Sequence, residues 1–118
     1  MYVDGFVVPV PKGKKQAYLK MARKAGKVWR EHGALDYKEC VADDVKKGKW
    51  TSFPRAVKLK ASEAVWFSWI VYRNRKHRDA VMKKVMKDKR LASMMDPKKM
   101  PFDGKRFIWG GFKVMVDL

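Results

Sequence analysis

The sequence predicts an α+β domain of ferredoxin-like, split βαβ plan with an added edge strand, and three observations carry that expectation. Strand-forming stretches rich in Val, Ile, Phe, Tyr and Trp recur along the chain. Two segments between them change to three- and four-residue apolar spacing, the period of a helix. One strand, Val65–Tyr72 (VWFSWIVY), is apolar on both faces, as a central strand covered on each side would be. At 118 residues and 13.8 kDa the chain fits a single domain over residues 1–118, and 47% hydrophobic residues suffice for a core.

The elements follow in order. Residues 2–10 read as a first strand that ends at Pro-Val-Pro. From about Lys14 to His32, Tyr18, Met21, Ala22, Ala25, Val28, Trp29 and His32 draw one apolar stripe down a helix, which Gly33 stops. Leu35–Ala42 alternates as a second strand, with Leu35, Tyr37, Glu39 and Val41 on one face and Cys40 on the other. Asp43–Thr51 is a charged loop. Ser52–Leu59 reads as a short strand that Pro54 confines to a sheet edge. After a turn at Lys60–Glu63 comes the central strand. Asn74 caps a second helix running to about Lys87, with His77, Val81 and Val85 inward. A turn around Leu91–Met95 and an irregular segment from Asp96-Pro97 lead to a last strand, Arg106–Val116, in which Gly110-Gly111 suggests a bulge or a close backbone approach.

Two helices can cover only one face of such a sheet. The central strand nevertheless carries Val65, Phe67, Trp69 and Val71 on one face and Trp66, Ile70 and Tyr72 on the other. An apolar face without a cover calls for a partner, and the economical one is a second copy packed by a two-fold axis. A homodimer with Phe67 and Trp69 at its interface is therefore expected.

Charge and composition narrow the function classes. The 29 Lys and Arg against 12 Asp and Glu give a formal net charge of +17, which excludes an acidic calcium-loop protein and puts polyanions first among partners. The single cysteine, Cys40, excludes an internal disulfide framework and a cysteine zinc site. Its environment decides whether it reacts, and a buried or interface thiol is the simpler expectation. The first ten residues lack the basic head of a secretory signal, and the longest apolar stretch, Ala64–Tyr72, falls far short of the roughly 20 residues of a membrane span. A cytoplasmic protein with no membrane partner is the expectation.

Residues 12–30 hold eight Lys or Arg and no acid, and residues 73–90 hold nine against Asp79 and Asp88. Such helix faces bind phosphate backbones weakly and without reading sequence; the plainer alternative is a solvated, solubilising surface. Arg75, Lys76 and Arg78 stand in the first turn of the second helix, where the dipole disfavours cations, so they form a candidate anion site. His32 and His77 are the only histidines and lack metal-ligand spacing, so no metal and no cofactor is expected. Asp4, Glu39, Ser68 and Arg106 are polar groups on buried-looking elements: either structural pairs and turns or the lining of a pocket.

MYVDGFVVPV at the start, MARKAGKVWREHGAL in the first helix, FSWIVY in the central strand and MPFDGKR with GGF near the end resemble, over nearly the whole length, the YbaA-like bacterial domain-of-unknown-function family. The resemblance implies a dimeric α/β barrel, in which two ferredoxin-like subunits join their sheets. It implies no established activity. Some members of that superfamily are small oxygenases without metal or flavin, which use a pocket between sheet and helices; Trp66, Trp69, Trp29, Phe67 and Tyr18 would supply its walls beside Asp4, Glu39, Ser68 and Arg106. Haem-degrading members use an Asn/Trp/His set, and Asn74, the only Asn here, sits at a helix cap. Three functional readings follow: a small-molecule binding or structural module with ligand unknown, a cofactor-independent oxygenase-like or isomerase-like enzyme, and a nucleic-acid-associated protein acting through its basic helices.

Overall fold

The computed structural model describes residues 1–92, 94, 96 and 98–118. Four strands, β1 (Tyr2–Pro11), β2 (Asp36–Val41), β3 (Glu63–Tyr72) and β4 (Ile108–Lys113), form one antiparallel sheet in the order β2-β3-β1-β4. The two long strands pair along their whole length, from Tyr2 opposite Tyr72 to Pro11 opposite Glu63. Helices α1 (Lys15–Glu31) and α3 (Arg75–Met86) follow β1 and β3, giving the ferredoxin-like order with both long helices on one sheet face. A single turn, α2 (Phe53–Ala56), follows β2, and another, α4 (Lys89–Ala92), follows α3. Among the described residues no helix is long and apolar enough to cross a membrane.

Each long helix forms for the reason its sequence states. The stripe of α1 buries Tyr18, Ala22, Ala25 and Val28, and Gly33 ends the helix with φ 115°, a conformation that favours glycine. Asn74 caps α3, its Oδ1 accepting the His77 amide at 2.7 Å, and Val81 and Val85 point inward. Ala25, Val28, Val81 and Val85 close over Tyr2, Ile70 and Tyr72 of the sheet as one core. Gly26 lets α1 approach β2: a Cβ there would meet the Tyr37 ring at 2.8 Å.

Two expectations need correction. Residues 52–59 are not a strand. Ser52 Oγ accepts the Arg55 amide at 3.2 Å, and Pro54 stands in the first turn, where its missing N–H removes no helical bond, so the segment starts a helix. Among the described residues the sheet therefore has four strands and no added edge strand. Val57 then tucks against Val7 and Val65 and covers one end of the second sheet face. The last strand also stops short of the expected 106–116 and carries no bulge, because the register runs unbroken through Gly5 opposite Gly110 and Asp4 opposite Gly111. The close approach is there: a Cβ on Gly111 would lie 2.2 Å from Tyr2 Oη. The turn expected at 91–95 and the irregular segment from Asp96-Pro97 fall partly outside the described residues.

Candidate functional site

Period-two alternation sorts the sheet's side chains into two sets with different fates. On the helix side, Glu39, Ser68, Phe6 and Trp109 stand opposite one another in register, one from each strand, and make a row across the sheet. Above this row the helices do not close completely, and a cavity of about 420 Å³ remains. That size is in the range of small-molecule sites. Its floor includes Asp4, Glu39 and Ser68; α1 contributes Tyr18 and Trp29, and α3 contributes Met82 and Met86. Met94, Met100, Phe102 and Phe107 line it from the segment before β4, and Trp109 lines it from β4 itself.

Glu39 is the chemically distinctive group. The Tyr18 hydroxyl lies 2.9 and 3.0 Å from its two carboxylate oxygens, and the Ser68 hydroxyl also supports it. Burial outweighs both hydroxyls and pushes the Glu39 carboxyl up to about 7. Burial also raises Tyr18, with the Glu39 charge adding to it, so the phenol remains a donor. None of the ion pairs among the described residues includes Glu39.

Asp4 is compensated differently. It is 1% exposed and pairs with Arg78 Nη1 at 3.3 Å, while Arg78 Nη2 donates to Tyr2 Oη at 3.3 Å. The Tyr72 hydroxyl stands beside Asp4 and accepts from Trp29 Nε1 at 3.1 Å. Burial raises the Asp4 carboxyl, and the Arg78 charge opposes the rise.

Asp4, Glu39 and Ser68 are thus brought together. Trp66 shares their face but lies beneath Tyr18, ring centroids 4.9 Å apart, in the packed core rather than on the cavity. Trp69 does not share it: one residue from Ser68, it points to the opposite face, 5.8 Å from the Phe67 ring. Phe67, Trp69, Ile108 and Phe112 are grouped there on the side away from the long helices, and Phe67, Ile108 and Phe112 are exposed.

Arg106 is also absent from the cavity lining. It forks onto the buried Glu63, Nη1 to Oε1 at 2.8 Å and Nη2 to Oε2, while Nη1 also donates to the carbonyls of Val57 and Lys58 and Nε to Asp103. This ties the segment before β4 to the start of β3. Arg75, Lys76 and Arg78 do not converge on a common point: Arg78 turns inward to Asp4, Arg75 lies 3.9 Å from Asp79, and Lys76 is exposed. His32 contacts Asp88 at 2.8 Å and His77 Nδ1 accepts the Arg73 amide, so both serve local structure. Cys40 is half-buried on the face away from the cavity. Among the described residues no three His, Cys, Asp or Glu gather as a metal site.

Tyr37 and the methionine wall went unnamed as site residues in the sequence reading. The available signal was Met82 and Met86 at i, i+4 on a helix whose inward stripe is otherwise small, a spacing that puts two adaptable side chains on one face.

The chain is 18% identical, with a TM-score of 0.60, to the crystal structure of an uncharacterized NIPSNAP domain protein from Burkholderia xenovorans, covering 97% of this chain and 94% of that one. That likeness concerns the fold. It is 51% identical over 116 residues to the uncharacterized protein YbaA of Escherichia coli K12, covering 98% of this chain and 97% of that protein, and equally so to YbaA of Shigella flexneri. The family model described as a protein of unknown function, DUF1428, matches residues 1–104. The chain belongs to that family.

Proposed function

We propose that this protein binds a small, largely apolar molecule in the helix-side cavity and that Glu39, with Tyr18 and Ser68, receives the molecule's polar end. One observation carries the reading: a space of about 420 Å³, walled by aromatic rings and methionines, is left unfilled around a half-buried carboxyl. Protein interiors are otherwise close-packed, and an apolar cavity with a few convergent polar groups is the usual form of a ligand site. The same carboxyl favours an isomerase-like enzyme as the second reading, because a base that titrates at about 7 is matched to proton transfer at neutral pH.

A homodimer joined through the open sheet faces, as in a dimeric α/β barrel, fits the apolar group Phe67, Trp69, Ile108 and Phe112. On a chain of net charge +17, a face of this composition is where a like-charged second copy can approach. A cytoplasmic setting suits the free thiol of Cys40. The basic sides of α1 and α3 present no exposed aromatic ring among the described residues, which supports at most phosphate-backbone contact without base stacking.

The binding reading is tested with N-phenyl-1-naphthylamine, a neutral apolar reporter that brightens in dry sites. The native protein should enhance its fluorescence saturably. Ala25→Phe and Met82→Trp, each filling the cavity from a different helix, should weaken binding tenfold or more with far-UV dichroism unchanged. Unchanged affinity in both folded variants refutes the reading.

A further inference from the structure

We infer that the cavity selects hydrophobic organic cations, alkyl- or arylammonium compounds, whose charged head sits against the Glu39 carboxylate. The inference rests on the binding reading above and adds the charge of the ligand.

Twenty-nine Lys and Arg are distributed over this chain, yet none lines the cavity among the described residues; its charged lining is Asp4 and Glu39 alone. Asp4 has its cation in Arg78. Among the described residues Glu39 has the Tyr18 hydroxyl within hydrogen-bond distance and no paired cation. Hydroxyl donors orient a carboxylate without neutralising it, and a half-buried charge lacking a countercharge is costly. A ligand that brings a positive charge removes that cost, whereas an anionic ligand adds to it.

The walls agree with this. The Trp29 and Tyr37 rings lie 6.4 Å apart in the cavity wall, and aromatic rings attract organic cations. At the other end of the floor row, Phe6 and Trp109 stack at 6.2 Å beside the methionines and offer room for an apolar tail. The groups facing Glu39 are Tyr18 from α1, Ser68 from β3, Tyr37 on its own strand, and Asp4 with Arg78 across the cavity. On the outer side of α1, Arg23, Lys27 and Arg30 share a groove with Glu39 without pairing to it. Their charges, like the rest of the +17, face solvent and are screened over roughly 8 Å at physiological salt.

Three probes with one phenyl tail decide the matter: 2-phenylethylammonium, 2-phenylethanol and 3-phenylpropanoate, titrated by isothermal calorimetry at pH 8. The ammonium compound should bind at least tenfold more tightly than the alcohol, and the carboxylate more weakly than either. In Glu39→Gln the preference for the ammonium compound over the alcohol should vanish. In the native protein, lowering the pH below 7 should weaken ammonium binding by up to about tenfold per pH unit and leave the alcohol unaffected. An alcohol or carboxylate that binds as tightly as the ammonium compound overturns the charge assignment, as does a preference that survives Glu39→Gln. In either case the binding reading stands if the naphthyl reporter is still excluded by Ala25→Phe. If neither the reporter nor any probe binds, both inferences fall together.

Discussion

Replacing Glu39 by Gln should stabilise this protein at alkaline pH and leave it unchanged in mild acid. The side chain ordinarily titrates near 4.5, and burial in the cavity floor moves it to about 7. The folded protein therefore keeps its proton at pH values where the unfolded chain has released it. The stability linked to Glu39 is complete below about 4.5 and is lost as pH rises through 7. At 1.36 kcal/mol per tenfold change in proton affinity, the loss amounts to about 3 kcal/mol by pH 8. Gln has the shape of the protonated acid, still accepts from Tyr18, and carries no charge in either state. The variant should match the native protein near pH 4.5 and exceed it by up to about 3 kcal/mol at pH 8. Urea titrations followed by tryptophan fluorescence at fixed protein concentration would read this as a midpoint difference that opens to about 1–3 M across that range. A difference that stays flat from pH 5 to pH 8, or native protein that is the more stable at pH 8, would refute the claim that Glu39 is a half-buried acid without a countercharge.

Further outcomes concern the frame around the cavity. Arg106→Met strands the Glu63 carboxylate, whose side chain is 4% exposed, and should cost about 3–5 kcal/mol in chemical denaturation. The double variant Arg106→Met, Glu63→Leu should recover most of that; a double variant no better than the single would contradict the pairing argument. Gly111→Ala places a methyl group 2.2 Å from Tyr2 Oη, so the ring must move and release its bond from Arg78; a loss of about 1–3 kcal/mol is expected by thermal unfolding, and a neutral effect would mean the strands are spaced otherwise. Phe67→Asp, on the open sheet face, should convert a dimer into monomers in sedimentation equilibrium, and a native dimer surviving it would remove the face-to-face assembly.

The long elements were legible because local pattern and tertiary demand agree in them. The α1 stripe from Tyr18 to Val28 and the doubly apolar β3 follow from period alone, and Asn74 announces its helix. Residues 52–59 were misread because Pro54 has two meanings: it marks a strand edge, but after a Ser cap it marks the first turn of a helix, and four residues give no period with which to decide. The site was half legible. Asp4, Glu39 and Ser68 stood out as polar groups in apolar strands, and strict alternation separates Trp69 from its neighbour Ser68, a consequence the pocket assignment overlooked. The fates of Arg106 and Arg78 were not local information. Their partners Glu63 and Asp4 lie 43 and 74 residues away, and only the folded chain decides which acid each meets.

The floor row has a dynamic consequence. Because Glu39, Ser68, Phe6 and Trp109 come one from each strand, a ligand resting on all four holds to the complete sheet and to nothing less. Any opening that detaches β2 or β4 would eject it, so those edge strands inherit the ligand's free energy as protection. Amide hydrogen exchange of the edge strands should then slow toward that of the central pair as the cavity fills, turning two frayed margins and a rigid middle into one cooperative unit.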